Sequence, residues 1–143
     1  MAEGRAARGV TDTSVVIDLD LFQPEDLPEE ICVSTVTLAE LAAGPHAVSD
    51  AVERARRQER LQRAEATFEA LPVDAPVARA FGRLYATAAS AGRKARGRRA
   101  LDLLIAATAL AANLPLFTRD PRDFEDIAEL VDVRVGEPSS QAA

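Results

Sequence analysis

Cysteine and histidine are almost missing from this sequence, which holds only Cys32 and His46. A lone cysteine excludes an internal disulfide. Its setting, EEICVSTV, reads as a buried strand thiol in a reducing compartment. One Cys and one His, widely spaced, cannot build the usual zinc site. They also leave little for Ser-His or Cys-His nucleophilic chemistry. His46, beside Gly44-Pro45, reads as a loop or cap residue rather than a base. Aromatics are only 4%, with no Trp and one Tyr, and Met is also single. Small-residue helix packing is therefore expected. A long apolar run is missing too. The best candidate, LLIAATALAANLPLF, is broken by Asn113 and Pro115 and preceded by Asp102. It falls short of the roughly 20 residues that span a bilayer. MAEGRAARGV has no apolar h-region, so no signal peptide is expected. These absences lead us to expect a soluble, cytoplasmic protein with no membrane association. The net charge of −6 argues against a general nucleic-acid coat protein.

What is present fits one domain over residues 1–143, with a core of about 10–135 and frayed ends. Gly9 to Asp18 reads as a mostly buried first strand with a polar interruption at Thr11 to Ser14. Ile31 to Ser34 is a second strand. Ser34 or Thr35 can cap a helix that carries Leu38, Glu40 and Leu41 and stops at Gly44-Pro45. His46 to Ala70 has helical periodicity, and Leu71 to Asp74 a minimal strand. Pro76 suits the first turn of the next helix. Arg99 to Asn113 is apolar on nearly all faces and should be a central helix. Leu114 to Thr118 is a strand, Pro121 to Glu125 a turn or short helix, and Leu130 to Val135 a last strand. Such alternation implies an α/β/α sandwich around a parallel sheet of about five strands, with right-handed crossovers. Sites in such sheets form beyond the carboxyl ends of the strands.

Four acids stand in distinctive contexts: Asp12 in VTDTSVVID, Glu40 in VSTVTLAEL, Asp102 in RRALDLLIAATAL and Asp120 in LPLFTRDPRDF. Gathered carboxylates repel one another unless a cation joins them. An all-oxygen set selects Mg2+ or Mn2+. Acids with a hard cation suit hydrolysis of a phosphodiester. Taken singly, each has a plainer reading: a solvated helix Glu40, an N-terminal helix charge at Asp102, a turn residue at Asp120. The segment GRKARGRR, residues 92–99, holds five cations and no acid. It is either a solvated loop or a phosphate-contact segment.

DTSVVID, STVTLAEL, LDLLIAATAL and LFTRDPRDF, in this order and approximate spacing, resemble the PIN-domain ribonucleases, and within them the VapC-type toxins of bacterial toxin–antitoxin pairs. The likeness runs from Val10 to about Val135. It implies a Mg2+-dependent endoribonuclease, with Mn2+ as substitute. Asp12, Glu40 and Asp102 would be metal ligands or supporting acids. The fourth acid falls to Asp120, with Asp123 three residues later kept beside it. Thr13 and Thr118 would hydrogen-bond ligands or water. Arg96, Arg98 and Arg99 are candidates for RNA phosphate contacts. Members often dimerise and are inhibited by a small antitoxin protein near the site. Asp12 lies later here than in most relatives, after MAEGRAAR.

Two other readings compete. VVIDLDLF, with Asp18 and Asp20, resembles the nucleophile motif of haloacid-dehalogenase-type phosphatases. Leu21 and Phe22 depart from that motif, and the only lysine, Lys94, lies in the basic segment. The same misplaced lysine argues against a receiver domain. A non-catalytic PIN-like binding module is the other alternative, since fold does not set function.

Overall fold

A computed structural model describes residues 5–136. Five strands form one sheet: β1 (Arg8–Thr11), β2 (Glu30–Ser34), β3 (Glu69–Leu71), β4 (Leu116–Thr118) and β5 (Val133–Val135). Their order is β3-β2-β1-β4-β5, and every neighbouring pair is parallel. Five helices connect them: α1 (Thr13–Ile17), α2 (Thr35–Ala43), α3 (Ala51–Thr67), α4 (Ala75–Ser90) and α5 (Arg98–Ala112). A 3-10 segment, Pro121–Ile127, leads from β4 toward β5.

The sheet separates two cores. On one side Val10, Cys32 and Leu116 pack with Val77 and Leu84 of α4 and Leu103 and Ala107 of α5. On the other, Val33 meets Val16 of α1 and Ala64 of α3. Helix α2 contributes to both, Val36 to the first and Leu41 to the second. The α/β/α sandwich and its parallel five-stranded sheet are as expected from sequence. So are the central α5 and the buried Cys32.

The first strand is shorter than its composition implied. It ends at Thr11, and Val15, Val16 and Ile17 belong to α1. The β-branched run invites a strand. The Asp12 carboxylate overrides it by accepting the Val15 amide at 3.2 Å, which starts a helix instead. This removes the phosphatase-like motif. Asp18 closes α1 and pairs with Arg119, and Asp20 sits in a 3-10 turn, so neither ends a strand.

Similar capping shifts α3. His46 lies in a 3-10 turn, Gly44–Ala47, and the helix proper starts after Asp50, whose carboxylate accepts the Glu53 amide at 2.8 Å. The minimal strand falls at Glu69–Leu71 rather than at Leu71 to Asp74, because Asp74 caps α4. The last strand keeps only Val133–Val135 of the expected Leu130 to Val135. From Arg5 onward the expected loose extension is bonded: the Glu29 and Glu30 amides donate to the carbonyls of Ala6 and Ala7, at 2.9 Å each. The tail EPSSQAA lies outside the described residues.

Candidate active site

The acids are delivered by four separate segments. Strands β1 and β4 are neighbours, and Thr11 pairs with Phe117. Asp12 and Asp120 therefore follow adjacent strand ends. Glu40 lies in the second turn of α2, and Asp102 in the second turn of α5. Asp123 is on the 3-10 segment beyond Asp120.

Asp12 is buried and well supplied with donors. Its Oδ1 accepts from the Ser14 hydroxyl at 2.7 Å and from the Val15 amide. The Thr118 hydroxyl also donates to this carboxylate, while accepting the Asp120 amide at 3.0 Å. Burial still holds the Asp12 carboxyl above its ordinary range, and the nearby Asp120 charge adds to the rise. Asp102 is perturbed further, pushed up to about 6. Burial is the main cause. Asp123, Asp12 and Glu40 add repulsion, and only Arg98 opposes it. Asp102 thus feels Asp123, Asp12 and Glu40 through space, and Asp12 feels Asp120.

Glu40 is held by a hydroxyl relay. Thr13 donates to Glu40 Oε1 at 2.6 Å, which uses its only proton. The Thr37 hydroxyl, 3.0 Å from Thr13, then supplies the other bond. The Arg98 guanidinium stands 3.8 Å from Glu40 Oε2. A second hydroxyl pair, Ser34 and Thr108 at 3.1 Å, ties the start of α2 to α5 inside the core. It sets Glu40 and Asp102 in a common frame.

The three arginines expected to contact RNA separate. Arg96 is exposed, and Arg98 is exposed and next to Glu40. Arg99 turns inward to the carboxylate of Asp126 and the carbonyl of Asp123. Their side chains are 12% and 3% exposed, so this is a buried ion pair that holds the Asp123 segment, unsuited to a phosphate contact. From sequence, Ser34 is marked only as a helix cap, and Thr37, Thr108 and Asp126 are missed. The STVT segment next to Glu40 offered a signal for the first two. Nothing local marked Asp126 among its acidic neighbours.

The donor set is carboxylate oxygen, mutually repelling and short of compensating cations, which fits a hard divalent ion. Among the described residues, a different group, Glu30, Cys32 and Glu69, brings three donor atoms within 4.8 Å of one another. No three of the site carboxylates meet that spacing. The Glu30 group is at the amino ends of β2 and β3 and is already served by Arg8. Arg8 reaches Glu69 at 2.7 Å, Cys32 Sγ at 3.3 Å and Glu30 at 3.4 Å. It reads as a structural ion-pair cluster.

The PIN domain family matches residues 10–130. The chain belongs to the PIN-domain family, in its VapC-type group. It is 39% identical over 117 residues to Ribonuclease VapC5 of Mycobacterium tuberculosis, covering 80% of this chain and 84% of that one. Ribonuclease VapC8 of the same species is 37% identical over 110 residues, 76% of this chain and 96% of that one. Among solved structures, VapBC-5 of M. tuberculosis, a member of the VapBC family of toxin–antitoxin systems, superposes with a TM-score of 0.77 at 37% identity. That match covers 90% of this chain and 97% of that one. FitAcB of Neisseria gonorrhoeae gives 0.61 at 27%, covering 90% and 96%. No helix among the described residues of this PIN domain is long and apolar enough to cross a membrane.

Proposed function

We propose that this PIN domain is a Mg2+-dependent endoribonuclease acting as the toxin of a toxin–antitoxin pair. The observation that supports the reading is the raised Asp102, which feels the charges of Asp12, Glu40 and Asp123, in a chain 39% identical to a ribonuclease. Asp12, Glu40, Asp102 and Asp120 would hold Mg2+, or Mn2+ in its place. When bound, the ion supplies charge neutralisation at phosphate and a more acidic water. Asp123, the acid not needed for the ion, would be the one to orient or deprotonate the attacking water. Thr13 and Thr118 orient Glu40 and Asp12 by donating to them. The partners of this reading are an RNA substrate, a cognate small antitoxin and a second copy in a homodimer.

The test is cleavage of total cellular RNA by purified protein with Mg2+, with EDTA, and as Asp102→Asn. Discrete products that need Mg2+ and vanish in the variant are expected. Identical background in all three, from protein free of bound antitoxin, overturns the nuclease reading. An Asp102→Asn chain that still arrests growth makes the domain a binding module.

A further inference from the structure

The acid cluster that would cleave RNA also repels it, so cations must hold the phosphates on either side. A groove opens from Thr13 and Glu40 between α1, α2 and α3. It is lined also by Ile17, Arg57, Arg60 and Arg98, with a volume near 350 Å3. A second groove, between α1 and α3, has a volume near 240 Å3. The two share Ile17 and Arg60, so a path leads from Glu40 past Arg60 into the groove between α1 and α3.

Most cations on this path are committed. Arg57 donates to Glu53 at 2.9 Å and to the Gly44 carbonyl at 3.0 Å. Arg56 pairs with Glu53 at 3.4 Å, and Arg63 pairs with Glu59 at 3.4 Å and with Asp20 at 3.9 Å. Arg98 is beside Glu40. Arg60 makes no direct hydrogen bond or ion pair with a described residue, although it is half-buried at the junction of the grooves; its charge acts only through space, on Glu53, which Arg56 and Arg57 already pair. A guanidinium gains little from such a position unless a ligand supplies the acceptor.

We infer that Arg60 binds an RNA backbone phosphate flanking the scissile one, directing the strand from the acid cluster into the groove between α1 and α3. This rests on the ribonuclease reading above. RNA is favoured over an acidic peptide because the groove includes Glu40 of the acid cluster, and a substrate centred on that cluster must carry phosphates to both sides. Arg60 would be a substrate-positioning residue, with Arg98 as the cation nearer the acids.

The test uses a short, uncleavable 2′-O-methyl RNA oligonucleotide and measures affinity across a salt series for wild type, Arg60→Gln, Arg60→Lys and Arg83→Gln. Arg83 is exposed on α4, outside this path. Arg60→Gln is expected to weaken binding about tenfold, the order of one charge-assisted hydrogen bond. It should also flatten the slope of log K against log salt by about 0.7, one single-strand phosphate. Arg60→Lys should keep the slope, and Arg83→Gln both values. Melting temperatures should match, since Arg60 anchors no described side chain. Wild-type slope and affinity in Arg60→Gln overturn the inference. Loss of antitoxin binding alone in that variant also overturns it and gives Arg60 to the protein partner. A wild type that neither binds nor cleaves RNA fails the ribonuclease reading instead.

Discussion

Asp12 accepts from three donors, whereas Asp102 has no hydrogen bond from a described residue and only Arg98 to offset three acids. The consequence is a pH dependence with a definite sign. Asp102 titrates near 6 when folded and near 3.8 when unfolded. Between these values the folded chain keeps a proton that the unfolded chain releases, so stability falls as pH rises through that window. Metal-free protein should therefore melt at a lower temperature at pH 7 than at pH 4.5 by this contribution, and Asp102→Asn should flatten that part of the curve. A steeper fall in the variant would refute the assignment. The Thr37-Thr13-Glu40 relay gives a second prediction. Thr13→Val preserves shape but leaves Glu40 without its 2.6 Å donor. RNA cleavage should drop about 10–100-fold, the usual range for a lost partner of a metal-binding group, with recovery in Thr13→Ser. Equal activity in Thr13→Val and wild type would count against the relay.

At the scale of elements, short capping contacts decide where helices begin. Asp12, Ser34, Asp50 and Asp74 each accept an amide in the following turn. Val15 to Ile17 alone favour a strand, and the Asp12 cap turns the same β-branched run into a helix. Helix α5 is secured differently. Its Arg99 reaches the 3-10 segment through Asp126, in a pair almost removed from solvent. Removing Arg99 leaves the buried Asp126 carboxylate only the looser Arg93, 3.8 Å away. Arg99→Ala is expected to destabilise the fold by about 3–5 kcal/mol in urea unfolding. Arg98→Ala, lying exposed one residue earlier, should change stability by less than about 1 kcal/mol. Comparable losses for the two would remove the distinction drawn between them.

For the whole molecule, the parallel sheet turns strand order into chemistry. Because β1 and β4 are adjacent, residues more than a hundred positions apart reach one edge. Helices α2 and α5 meet through Ser34 and Thr108, which brings Glu40 and Asp102 to the same edge. An assembly of repelling acids should be stabilised as a unit by its cation. Mg2+ or Mn2+ at about a hundred times Kd should raise the melting temperature of metal-free wild type by roughly 5–10 °C. The double variant Asp12→Asn, Asp102→Asn should start higher without metal and show no rise. An equal rise in both would place the ion elsewhere.

The sequence by itself determined the alternation of strands and helices, the buried Cys32, the central α5 and the four acidic contexts. These are local: periodicity, Pro and Gly punctuation, and the burial of apolar runs all act within one element. Tertiary structure decided what depends on distant neighbours. It placed Thr37 behind Thr13, turned Arg99 inward to Asp126 and left Arg60 without a direct bond where two grooves meet. Arg96, Arg98 and Arg99 are alike in a list of residues. They differ because Arg96 lies in the loop before α5, while helical rotation within α5 carries Arg98 and Arg99 to different faces, and only the fold says which face meets an acid, water or the core.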